Sequence, residues 1–235
     1  IRRQRQMCIR DRIDILQRET AETAKQYAFR TLLYNITYLN LKPGEKLAES
    51  QLSQMLGVSR TPIREAILEL NQKKLIDIHP KSGTYVTKIN SEIIEEFLGM
   101  RSLVEGEAAR CASRIATDKD VENLRVNIAI LQYYADLGNI TKMYEYDCAF
   151  HKYIYEMCNK QYWYDVISSN ACQFNRFVIL LLHSKVFEMP RDDHNDIVNA
   201  LVKHDEDEAY RASTRHTNRY FEYKNIVEQN YPYFF

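Results

Sequence analysis

Apolar positions recur at helical spacing along most of the chain and alternate over one short stretch after residue 75. Between Glu22 and Leu39, Ala24, Tyr27, Ala28, Leu32 and Ile36 share one helical face. Leu41-Lys42-Pro43-Gly44 breaks that helix, since Pro-Gly punctuates as a turn. Glu49 to Leu56 reads as a short helix with Leu52 and Leu56 one turn apart, followed by a tight turn at Gly57-Val58-Ser59. A further helix runs to about Lys74, with Ile63, Ile67 and Leu70 as its apolar face. Ser59 or Thr61 can cap it, and Pro62 suits a first turn whose backbone N–H groups have no partner in any case. Ile76–His79 and Tyr85–Lys88 alternate like strands, joined by Pro80-Lys81-Ser82-Gly83-Thr84 as a hairpin. From Ser91 onward the pattern is helices with polar breaks near Thr117-Asp118, Gly138-Asn139, Asn159-Lys160, Ser184–Arg191 and His204-Asp205. The expected fold is mainly α: an N-terminal winged helix-turn-helix over residues 13–89, then an all-α bundle of six to seven helices over 90–235.

Composition narrows the picture. Of 235 residues 45% are apolar, enough for a packed core, and the small numbers of Gly (6) and Pro (5) exclude collagen-like and low-complexity sequence. No apolar run approaches the roughly 20 residues of a membrane-spanning helix, so no membrane partner is expected. Five cysteines without a Cys-x-x-Cys pair favour reduced thiols in a cytoplasmic protein over a disulfide scaffold. The net charge is zero, but residues 1–90 hold 16 Lys and Arg against 9 Asp and Glu, and the remainder holds 16 against 23. A basic front joined to an acidic rear points to a nucleic-acid-facing module on a differently employed partner. Part of the surplus lies in residues 1–12, IRRQRQMCIRDR. They lack the apolar core of a secretory signal and resemble translated adapter DNA, so they are read as a non-native or disordered leader.

A helix that enters the major groove needs small and basic residues in its first turn. Ser59-Arg60-Thr61-Pro62, with Arg64 one turn on, supplies them. Arg can donate two parallel hydrogen bonds to guanine, and hydroxyls with exposed helix N–H groups suit phosphate. Taken alone, the pattern fits a generic helical hairpin equally well. The segment LKPGEKLAESQLSQMLGVSRTPIREAILELNQKKLIDIHPKSGTYV, however, resembles the DNA-binding domain of the GntR superfamily of bacterial transcription regulators. The resemblance implies DNA contacts by Ser50, Ser59, Arg60, Thr61, Pro62, Arg64, Ser82 and Gly83. Ser50 departs from the longer charged residue frequent in relatives, and Lys74 from the glycine that usually ends the recognition helix.

The acidic part carries a second constellation. Asp147 and His151 lie four apart on one helix, and His194 and His216 flank the break at His204-Asp205 symmetrically. Folded back as an antiparallel hairpin, the latter two helices bring their imidazoles level. Three imidazoles and a carboxylate suit a divalent transition metal, zinc before nickel, manganese or iron, with positions left over for a small carboxylate. This region looks like the FCD ligand-binding domain of the FadR subfamily, with Asp147-Cys148-Ala149-Phe150-His151 its most recognisable segment and Arg101-Ser102-Leu103-Val104-Glu105 a partial match. The resemblance makes Arg101 a partner for an effector carboxylate, against the alternative of an ion pair with Glu105 or Glu107, and makes Asn175 a further pocket residue. The resemblance thus implies a homodimeric regulator of a palindromic double-stranded DNA operator, a repressor as is commonest in the family, modulated by a small organic acid. The rival is a metal-dependent hydrolase using the same His/Asp set, although the sequence has no His-Glu-x-x-His motif.

Overall fold

The computed structural model describes residues 12–184 and 191–235, and Cα packing divides the chain into two compact units. The first holds the residues up to Asn90 together with 175–177 and 231–235; the second holds Ser91–Phe174 and Val178–Asn230. Cys8 and nearly all of the leader lie outside the described residues. Arg12 is described, and its guanidinium donates to Glu45 Oε1 at 2.6 Å and to the Asn40 carbonyl at 2.8 Å.

In the first unit, α1 (Ala24–Thr37) starts at a reciprocal capping box in which Thr23 and Gln26 each satisfy the other's backbone N–H. It packs on α3 (Arg60–Gln72), which follows α2 (Glu49–Leu56). Ala28, Leu32, Ile36, Leu52, Ile63, Ile67 and Leu70 are buried, as their shared helical faces require. Strands β2 (Ile76–His79) and β3 (Gly83–Val86) form the hairpin, paired from Ile76 with Val86 to His79 with Gly83. A third strand, β1 (Lys46–Leu47), pairs antiparallel with β3 and completes a sheet in the order β1-β3-β2. Two residues are too few for alternation to announce a strand, which is why the sequence reading missed it.

The second unit is helical throughout its described residues: α4 (Ser91–Ile115), α5 (Asp118–Asp136), α6 (Ile140–Met157), α7 (Gln161–Asn170), α8 (Cys172–His183), α9 (Arg191–Val202), α10 (Glu206–Thr217) and α11 (Tyr220–Asn230). Among the described residues the expected six to seven helices are therefore eight. The two extra breaks, at Ala171 and at Asn218-Arg219, contain neither Gly nor Pro, so no punctuation marked them. The break expected at Ser184–Arg191 falls largely outside the described residues. Thr117 and Asp120 form a capping box on α5, while Asn139 and Asp205 cap α6 and α10. Ala108, Ala109 and Ala112 of α4 meet Phe150 and Ile154 of α6, Ile197 and Leu201 of α9, and Ala209 and Ala212 of α10 in one buried cluster. Helix α4 passes so close to α10 that a Cβ on Gly106 would stand 2.8 Å from Thr214 Oγ1 and from a Tyr210 ring carbon.

Candidate DNA-reading surface and metal centre

Gly57 ends α2, and Ser59 stands at the N-cap of α3 with extended backbone angles. The expected cap bond is absent: neither Ser59 nor Thr61 closes the start of α3, and Thr61 lies inside the helix. The leading N–H groups of α3 and the Ser59 hydroxyl therefore face outward, an arrangement suited to phosphate. Ser59, Arg60, Thr61 and Arg64 are exposed, Pro62 is half-buried, and Ile63, Ala66, Ile67 and Leu70 hold the opposite face in the core. Arg64 is held by Glu49, the first residue of α2, with Nε to Oε1 at 3.3 Å and Nη2 to Oε2 at 2.9 Å. Ser50 is exposed beside it.

At the hairpin tip, Ser82 is exposed and Gly83 has φ +132°, a conformation that favours glycine. A Cβ there would also stand 2.7 Å from Lys46 Cε. Lys46 Nζ and Tyr85 Oη both donate to the Ser82 carbonyl, at 2.8 and 3.2 Å, and fix the tip on its sheet. Lys46 carries a cation to this edge that the sequence reading did not single out, because it lies on the unrecognised strand.

In the second unit, Asp147 and His151 of α6, His194 of α9 and His216 of α10 converge. One ligand atom from each lies within 4.8 Å of the others. His151 Nε2 faces His216 Nε2 at 3.2 Å, and His194 Nε2 faces Asp147 Oδ1 at 3.4 Å. His151 and His194 are buried; Asp147 and His216 are half-buried. Burial pushes the His151 pKa down to about 3, against the pull of Glu105 and Asp147. Burial, followed by the neighbouring His216, lowers that of His194 as well. Asp147 is desolvated too, but hydrogen bonding to His194 and the surrounding imidazoles hold its carboxyl well below the usual range. Neutral imidazoles beside an ionised carboxylate are the protonation states that a cation requires. Moreover, His194 Nε2 is buried with only the long 3.4 Å approach to Asp147 Oδ1 as a polar contact, and a metal ion would satisfy it. The donor set therefore fits a divalent transition metal.

Carboxylates stand behind two of the ligands at ion-pair distance from their rings. Glu105 Oε2 lies 3.5 Å from His151 Nδ1, and Asp193 Oδ2 lies 3.5 Å from His216 Nδ1. An Nδ1–H directed at a carboxylate leaves Nε2 as the free lone pair. Glu105 is itself held by Thr217 Oγ1 at 3.0 Å and Arg101 Nε at 2.8 Å, and Asp193 by Arg219 Nη1 at 2.7 Å. Burial raises the pKa of Glu105, yet Arg101 and His151 outweigh it and bring it down to about 2. Sequence reasoning gave neither Glu105 nor Asp193 this role. The signal for Asp193 was its place beside His194; Glu105 had only the four-residue spacing from Arg101. Arg101 does pair with Glu105, and its guanidinium lies 4.8 Å from the Phe174 ring. Asn175 is half-buried on α8, among the three residues that group with the first unit instead of with the four ligands.

The two units together define a winged helix-turn-helix protein with a helical domain able to hold a metal. Comparison with known proteins gives the class a family. Residues 25–86 match the model described as "Bacterial regulatory proteins, gntR family", and residues 96–219 match the FCD domain. The chain is 30% identical over 196 residues to the Uxu operon regulator of Haemophilus influenzae, covering 74% of this chain and 71% of that one. It is 28% identical over 220 residues to the HTH-type transcriptional repressor RspR of Escherichia coli, covering 93% and 96%. The solved structure of E. coli McbR/YncC shares the fold, with a TM-score of 0.69 over 89% of this chain and 99% of that one at 20% identity. The chain belongs to the GntR family of transcription regulators and carries an FCD domain; it is a DNA-binding regulator and not an enzyme, which removes the hydrolase reading.

Proposed function

We propose that this regulator binds a palindromic operator as a homodimer, acts as a cytoplasmic repressor, and is modulated by a small organic acid at the metal centre. The observation that carries the reading is the convergence of Asp147, His151, His194 and His216 from three helices. Asp147, His151, His194 and His216 would hold the ion. When bound, the ion would supply a Lewis-acidic position for an effector carboxylate. Arg101 uses Nε on Glu105, which leaves its terminal nitrogens to pair with the same carboxylate. Thr217 and Glu105 keep that arginine and the His151 ring in place. Repression is supported by the names of RspR and of a probable D-xylose utilization operon transcriptional repressor from Paenarthrobacter nicotinovorans, 26% identical over 87% of this chain. Self-association is supported by an exposed apolar row along α5 and its C-cap, where Val126, Tyr133 and Leu137 are 51%, 59% and 61% exposed.

On DNA, Arg60 and Arg64 would read base edges while Ser59, Thr61, Ser82 and the backbone at Gly83 position the module on phosphates. Ser50 is too short to add a charged contact. The test is calorimetric titration of chelator-treated full-length protein with Zn²⁺, Ni²⁺ and Mn²⁺, then with a panel of small carboxylic acids. One equivalent of metal per chain, lost in His194→Ala, and acid binding only in the metal-loaded protein are the expected results. Wild-type protein that binds no metal overturns the reading. Light scattering of Tyr133→Glu should show a smaller particle than wild type if the α5 row joins two copies.

A further inference from the structure

We infer that Glu49 is a specificity-determining residue, which orients Arg64 toward a base edge and withholds it from phosphate. The inference rests on the operator-reading role proposed above. Two arginines stand in the opening turns of α3, and their surroundings differ. Arg60 is exposed and makes no ion pair among the described residues. Arg64 is gripped along one edge by Glu49, whose side chain is 30% exposed against 66% for the arginine. On a bare surface such a pair contributes little to stability, so its consequence lies in geometry and charge.

The guanidinium has five N–H bonds. Glu49 occupies the Nε–H and one N–H of Nη2, and the end-on fork of Nη1 and Nη2 stays open. That fork is the edge that matches O6 and N7 of guanine. The pairing also removes rotational freedom before DNA arrives, which lowers the entropic cost of a directed contact. Charge acts in the same direction. A carboxylate beside the guanidinium offsets its attraction for phosphate, and at a misplaced register the carboxylate itself meets the DNA backbone with like charge. Glu49 is held on the first residue of α2, so α2 sets where Arg64 points although it need not touch a base. Ser50, next along, is short and uncharged and offers Arg64 no competing charge.

The experiment uses full-length protein and duplexes selected by it from a randomised library. Wild type, Glu49→Gln, Arg64→Ala and the double variant are compared on the selected duplex, on its single-base substitutions and on an unrelated duplex, across a salt series. Glu49→Gln should lower the ratio of selected to unrelated affinity about tenfold. The lost preference should map to the base pair that Arg64→Ala also erases, and the double variant should lose no more than Arg64→Ala alone. On the unrelated duplex, freeing Arg64 for phosphate should steepen the slope of log affinity against log salt by about one. A loss of fold would instead weaken both duplexes equally. Glu49→Gln with an unchanged ratio and base profile overturns the inference, as does a loss that persists in the Arg64→Ala background. A wild type that selects no sequence overturns operator reading itself.

Discussion

Lys74 closes α3 with φ +57°, in the left-handed region where a Cβ is strained and glycine is not. Its carbonyl accepts from Thr87 Oγ1 at 2.9 Å, so the turn is anchored and cannot relax the strain by moving. Lys74→Gly should raise stability by roughly 0.5–1 kcal/mol, read as a higher midpoint in chemical denaturation. At the proposed metal centre the test at the same scale concerns Glu105. Glu105→Gln keeps the shape but removes the negative charge behind the His151 ring, and metal affinity should fall about 10- to 100-fold in a competition titration against a chelator dye. Equal affinity would assign Glu105 to Arg101 alone. Glu105 illustrates what the sequence concealed. Among 32 acidic residues, most of them solvated, nothing marks one as standing behind an imidazole. The ligands were easier to see, because a four-residue interval on a helix places Asp147 and His151 together whatever the remainder of the fold does.

Helices read well where turn residues agree with the apolar stripe, as in α2, α3, α5 and α6, and poorly where packing alone decides. The joint between α7 and α8 at Ala171 is of the second kind. So is the missing hydroxyl cap on α3, since Ser59 has the residue type and the backbone angles of a cap but not the bond. Helix α5 shows a cap that is made. Hydrogen bonding from Thr117 leads the lowering of the Asp120 pKa below its ordinary value. A carboxylate lowered by folding contributes stability above its unfolded pKa, near 3.9, and loses it as pH falls through the folded value. Thr117→Ala should cost about 1 kcal/mol at neutral pH. In thermal melts the gap from wild type should narrow as the pH drops below about 4. Between α4 and α10 the controlling residue is Gly106, an expensive choice for a helix interior that only close approach explains. Gly106→Ala should destabilise by roughly 1–3 kcal/mol despite its better helix propensity, because Tyr210 and Thr214 stand where the methyl would go. A gain in stability would show that the two helices separate freely.

For the whole molecule, the proposed centre predicts a stability that depends on metal. A ligand that binds only the folded state stabilises by mass action, by about 4 kcal/mol at a thousandfold excess over Kd. Added zinc should raise the melting temperature of wild type and leave that of His194→Ala unchanged. Hydrogen exchange should slow on α6, α9 and α10 and much less on α1. The division of labour across the chain was legible from charge, a basic front and an acidic rear, and from the run Gly57–Pro62 that starts the reading helix. The sheet edge at Lys46-Leu47 and the cation it carries were not, because their structure comes from pairing with a distant strand. One feature of the centre reaches past binding. Its donors come from three stretches of chain that are far apart in sequence, so an ion held there would act as a removable cross-link. Cleavage at the turn around His204 would then leave two fragments fastened by the ion in addition to the packing of α10 on α4, and a chelator would withdraw the first of these holds.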